Sequence, residues 1–110
     1  MSSSIGILKP QGALDATNGK LLYQQVQSVL QQNVYAVLID CNKLEFVDSS
    51  GLGVLVRILK TVEGAGKRLA LCSVNDQFRT LLNLTDMEDV FEIFATPVHF
   101  HLSIAIHQQL

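Results

Sequence analysis

Two stretches, VYAVLID at 34–40 and KRLALCSV at 67–74, restrict the fold of this chain more than any other feature. Each is almost continuously apolar and neither alternates with polar residues. Strands of that kind are buried on both faces, as in a parallel sheet with helices on its surfaces. The segment between them fits. Leu52, Leu55, Ile58, Leu59 and Val62 recur at helical spacing, so the two strands are joined by a helical crossover.

The remainder extends the pattern. SIGILK (4–9) reads as a short strand, and Pro10 directly after it places that strand at or near a sheet edge. GALDATNG (12–19) has turn and capping chemistry, with Asp15 or Thr17 as acceptor for free helix N–H groups. Residues 18–32 read as a helix with Leu22, Val26, Val29 and Leu30 on one stripe, and CNKLEFVD (41–48) as a loop. EGAG (63–66) ends the second helix at Gly64 or Gly66. Asn75 caps DQFRTLLNL, in which Phe78, Leu81 and Leu82 share a face. VFEIF (90–94) is a short strand. Thr96 caps a last helix with Pro97 at its first position, docked through Val98, Leu102, Ala105 and Ile106. The order βαβαβαβα predicts one α/β domain over 1–110, with a small, mainly parallel sheet of about four strands and four helices. The loops around Asp15 and around Ser49–Ser50 follow strands, so both are expected on the edge where such sheets meet ligands and partners.

Composition removes several functions. The net charge is -2 and Lys and Arg are scattered, which argues against binding a nucleic-acid backbone. No apolar run reaches the length of a membrane span, and MSSSIGILKPQG lacks the pattern of a signal peptide. Cys41 and Cys72 fit no CxxC or zinc spacing and read as two buried free thiols of a cytoplasmic protein.

The chemistry concentrates in DSSGLG (48–53). The simplest reading is structural: Asp48, Ser49 or Ser50 caps a helix, and Gly51 and Gly53 let its first turn approach the sheet. A functional reading adds that a helix N-terminus, with free N–H groups and partial positive charge, accommodates a phosphate on a serine there. Other candidates are weaker. His99 and His101 are two apart and face different ways, and no carboxylate or cysteine is placed to join them or His107 around a metal. EGAGK lacks the first glycine of a phosphate loop. Asp48 breaks the GxSxG pattern that a hydrolase serine requires, and TDMEDV reads as a solvated turn.

LIDCNKLEFVDSSGLGVLVRILKTVEGAGKRLALCSVNDQFRTLLNLTDMEDVFEIF resembles the STAS domain of bacterial anti-sigma factor antagonists, and GALDATNG resembles that family's earlier G-x-L-D segment. The resemblance covers nearly the whole chain. It implies a partner-switching module that needs no cofactor or metal. Such a module would be a kinase substrate and not an enzyme. The unphosphorylated form would bind an anti-sigma factor, a serine kinase of the histidine-kinase-like ATPase type. Phosphorylation would release it, and a PP2C-type phosphatase would reverse the step. By motif position the phosphorylated residue is Ser50, with Ser49 as the alternative, and the partner-binding set is Asp15, Asp48, Ser49, Ser50, Gly51 and Leu52. Two departures stand out. Ala13 replaces an acid common in the family. Many members also carry a further strand before the equivalent of 4–9; without it that strand is an open edge, which leaves room for a homodimer. The competing readings are an unphosphorylated STAS subunit of a transport or signalling assembly, and a small nucleotide- or lipid-binding domain.

Overall fold

The computed structural model describes residues 4–108. In chain order the elements are β1 (Ile5–Leu8), β2 (Gly12–Leu14), α1 (Ala16–Leu30), β3 (Ala36–Asp40), β4 (Leu44–Val47), α2 (Ser49–Gly64), β5 (Arg68–Cys72), α3 (Asp76–Leu84), β6 (Glu92–Phe94) and α4 (Pro97–Gln108). The main sheet is parallel throughout, in the order β1-β3-β5-β6. The expected α/β architecture is therefore present, with β1 at an edge as Pro10 implies.

The two apolar runs occupy the centre. Every residue of β3 is buried, and β5 is buried from Leu69 to Cys72. Because strand side chains alternate between faces, each strand serves two cores. Val37, Ile39, Leu69 and Leu71 pack under α1, α2 and α3 with Leu22, Val26, Leu55, Ile58, Phe78 and Leu82. Ala36, Leu38, Ala70 and Cys72 pack on the other side with Phe100 and Ile104 of α4. Three helices thus lie on one face and one on the other. Arg68 ties α4 to the sheet's lower end: it makes a paired hydrogen bond to Glu92, reaches Ser103 and lies over the rings of Phe94 and Phe100.

Three expectations require correction. Residues 12–14 and 44–47, read as turn and loop, pair as parallel strands β2 and β4 in a separate two-stranded sheet. The first helix starts at Ala16 rather than 18, because Asp15 is its cap. The last helix docks through Phe100 and Ile104, whereas Val98, Leu102, Ala105 and Ile106 are exposed. That helix carries apolar residues on two sides, so periodicity alone selected the wrong one. The caps at Asn75 and Thr96 stand as expected: Asn75 Oδ1 accepts from the Phe78 N–H and Thr96 Oγ1 from the His99 N–H. The second helix ends one residue before Ala65, and Gly66 takes the left-handed conformation with φ +75.

Cys41 and Cys72 are both free and buried. They are backbone-bonded neighbours, yet their thiols belong to opposite cores, so no disulfide joins them. Burial pushes the Cys41 thiol up to about 12.

Two tests follow from the packing. Phe100→Ala removes a fully buried ring and should cost about 3–5 kcal/mol, while Leu102→Ala at low protein concentration should stay within ~0.5 kcal/mol; denaturant melts compare them. Above the ordinary thiol value of 9.0 the unfolded chain ionises Cys41 while the native chain keeps the proton. The unfolded state then binds fewer protons, so stability should fall as pH rises from 9.0 towards about 12. Cys41→Ala should flatten that fall in thermal melts taken across the range.

Candidate functional site

The site is built on the small β2–β4 pair. Leu14 lies opposite Val47, the last residue of each strand. The next residue in each case is an aspartate that caps a helix. Asp15 Oδ1 accepts from the Asn18 N–H at 2.9 Å, and Asp48 Oδ1 from the Gly51 N–H at 2.7 Å. The register thereby sets the N-termini of α1 and α2 side by side. Two further contacts lock them: the Asp48 N–H donates to the Leu14 carbonyl at 3.2 Å, and α2 presses its first turn onto the same peptide at Gly51. A Cβ built on Gly51 would strike the Leu14 carbonyl oxygen and lie 2.7 Å from its carbon. Glycine is required there because backbone, which cannot move aside, fills the space.

The second glycine of the motif differs. Gly53 is exposed, and a Cβ there would meet nothing within 4 Å. Only Gly51 makes the close approach that both glycines were expected to make.

The serines are not caps. Asp48 holds that role, and Ser49 and Ser50 are the first two residues of α2, both exposed. Among the described residues neither hydroxyl is held by a hydrogen bond. Asp48 satisfies the N–H groups of Gly51 and Leu52 through its side chain and carbonyl. The N–H groups of Ser49 and Ser50 remain at the open helix end, where the partial positive charge is concentrated.

The six residues expected to meet a partner divide into two sets. Asp15 and Asp48 are half-buried and Ser49 and Ser50 are exposed, all on one end of the molecule. Gly51 is buried against β2, and Leu52 is 4% exposed and belongs to the core. The helix turn that presents the serines carries Leu52 inward.

The sequence reading missed three contributors. Phe46, opposite Ala13 in the small sheet, is 50% exposed. Gln77 of α3 clamps the free edge of β4, accepting from the Val47 N–H and donating to the Val47 carbonyl, each at 2.8 Å. Asn75, beyond capping α3, donates to the Leu44 carbonyl at 3.1 Å. Nothing local marks Phe46 or Gln77: by alternation Phe46 would share the inward face of Leu44, and it faces outward where the register slips between Gly12 and Ala13. Of the histidines, His99 Nδ1 lies 2.8 Å from Thr96 Oγ1. The side chain of His107 lies outside the described residues.

The pairing of Gly51 and Gly53 gives a test. Gly51→Ala should cost about 1–3 kcal/mol through forced overlap. Gly53→Ala should leave the melting temperature unchanged or raise it, since alanine favours a helix by up to ~1 kcal/mol over glycine.

The model of the STAS domain family matches residues 2–99. A Thermotoga neapolitana protein named as a candidate anti-sigma factor antagonist is 32% identical over 91 residues, covering 82% of this chain and 80% of that protein. The anti-sigma F factor antagonist of Paenibacillus polymyxa is 27% identical over 94 residues, covering 84% and 80%. Among solved structures, a candidate anti-sigma factor antagonist from Thermotoga maritima superposes with a TM-score of 0.76 at 28% identity, over 94% of this chain and 86% of that one. The SulP transporter STAS domain from Vibrio cholerae shares the fold, with a TM-score of 0.74 at 12% identity over 98% and 85%. With the family model spanning nearly all of it, and with the parallel sheet, the paired aspartate caps and DSSGLG in place, the chain belongs to the STAS domain family.

Proposed function

We propose that this chain is an anti-sigma factor antagonist regulated by phosphorylation of Ser50. The observation that carries the reading is the state of that serine: exposed, unbonded, and fixed at an open helix end by Asp48 and by Gly51 against Leu14. A phosphate there adds about -1.5 to -2 charges next to free N–H groups, so the fold can carry it. The consequence falls on the partner. Asp15 and Asp48 already stand beside the serines, and a partner shaped for a neutral hydroxyl meets added bulk and like charge. Such juxtaposition costs several kcal/mol, and about 1.4 kcal/mol is tenfold in affinity.

In this reading the partner is an anti-sigma factor that is itself a serine kinase of the histidine-kinase-like ATPase type. A PP2C-type phosphatase resets the switch in the cytoplasm. The relatives named as anti-sigma factor antagonists support it. The kinase supplies nucleotide and metal, so the chain acts as substrate and ligand without catalysis or cofactor of its own. Asp15, Asp48, Ser49 and Ser50 form the contact surface, with Gly51 and Leu52 behind it.

Phosphosite mapping by mass spectrometry on the protein from its own cells, in growth and in stress, is the decisive measurement. Phosphate at Ser50 that changes with condition is expected. Its absence in every condition would favour a fixed STAS subunit of a larger assembly. Ser50→Ala and Ser50→Asp should shift binding to the co-purifying kinase in opposite senses. Ser50→Asp should keep its fold, and a melting temperature lower by about 8 °C or more would contradict the helix-end account.

A further inference from the structure

The strand that leads into the serine-bearing helix is held twice, at consecutive residues. The Asp48 N–H donates to the Leu14 carbonyl of β2 at 3.2 Å. One residue earlier the Gln77 amide takes both main-chain groups of Val47. Its Oε1 accepts from the Val47 N–H and its Nε2 donates to the Val47 carbonyl, each at 2.8 Å. A primary amide carries both a donor and an acceptor, so this single side chain does what a neighbouring strand would do. Gln77 is itself well anchored. Its helix α3 is capped by Asn75, which also donates to the Leu44 carbonyl, and Phe78 and Leu82 are buried in the core.

We propose that Gln77 is a positioning residue for phosphorylation of Ser50, an inference that rests on the reading of that serine given above. The chain of contacts is short. Gln77 fixes Val47, and the next residue is Asp48. Asp48 holds the N–H groups of Gly51 and Leu52 through its side chain and its carbonyl. Ser50 lies inside that capped turn, so the place of its hydroxyl follows the place of Asp48. Without the Gln77 amide, the end of β4 is left to pivot on its contacts with β2. Phosphoryl transfer asks for an attacking oxygen within about 3–3.5 Å of the phosphorus and in line with it, and a misplacement of about 1 Å can cost about a hundredfold in rate. Gln77 acts through Val47 and Asp48, so its effect falls on the geometry of transfer. An amide that served stability alone would leave the rate on folded protein unchanged.

The test compares the full chain with Gln77→Met, close to glutamine in length but without the amide, and with Ile104→Val, a trim in the core on the opposite face of the sheet. Amide hydrogen exchange is the first readout. In Gln77→Met it should quicken at Gly51 and Leu52, while Asn18 and Gly19, held in the same way by Asp15, keep their rates. The second readout is labelling of Ser50 with radioactive ATP and a fixed amount of extract from the protein's own cells. Gln77→Met should lower the maximal rate about tenfold or more, with the half-saturating concentration little changed, and Ile104→Val should move neither. Equal labelling of wild type and Gln77→Met overturns the inference and leaves the reading of Ser50 standing. Unchanged exchange at Gly51 and Leu52 does the same. An equal fall in Ile104→Val also overturns it, because lost stability would then explain the rate. A wild type that takes no label at Ser50 brings down the reading itself, and this inference with it.

Discussion

The contact between the first turn of α2 and the Leu14 carbonyl organises this molecule. It joins two helices that the main sheet alone would leave at independent heights. The register of β2 on β4 places two aspartates level, each aspartate starts a helix, and Gly51 brings one helix end onto the peptide that precedes the other. Lower down, Gly19 sits against Val54 and the Tyr23 hydroxyl lies 3.0 Å from Thr61 Oγ1, with Arg57 over the tyrosine ring. The two helices are thus fixed at the top by backbone and along their length by side chains. A rigid frame of this kind would let an exposed serine take the proposed phosphate without a change in the structure that carries it.

The sheet distributes its bulk unequally. Towards α1, α2 and α3 it presents valine, isoleucine and leucine. Towards α4 it presents Ala36, Ala70 and Cys72 beside Leu38. Small residues let one helix come close with a single large ring, Phe100, filling the space between, and the Arg68–Glu92 pair closes its lower end. The crowded face determines how the site is held. The sparse face leaves most of α4's surface outside the core.

Much of this was legible in the sequence. The continuous apolar runs at 34–40 and 67–74 specify central parallel strands, since only burial on both faces tolerates them. Pro10 marked an edge. Asn75 and Thr96 were readable as caps, and Asp15 as one of two candidates with Thr17, because a cap is a local interaction within three residues. What could not be read depended on partners distant in the chain. Residues 12–14 and 44–47 become strands only by pairing with each other across some thirty residues, and a three-residue strand has too little pattern to announce itself. DSSGLG contains two glycines and two serines with no local difference between members of each pair. Only the path of β2 shows that Gly51 is the one without room for a Cβ. For α4 the pattern was present and ambiguous, because residues on two opposite sides were equally apolar.

The clamp on β4 has a consequence of its own. One margin of that strand is joined to β2. At the other, the amides of Gln77 and Asn75 take up the main-chain groups of Val47 and Leu44. Across the small sheet, Asn18 similarly caps the Ala13 carbonyl. A strand laid along the outer margin of β4 would find these backbone groups already engaged, so the ribbon is closed to extension on that side. A partner bound at this end, as proposed, would have to read side chains such as Phe46, Asp15 and the two serines. Related chains can therefore diverge in whom they bind by exchanging a few surface groups while the hydrogen-bonded scaffold beneath stays the same.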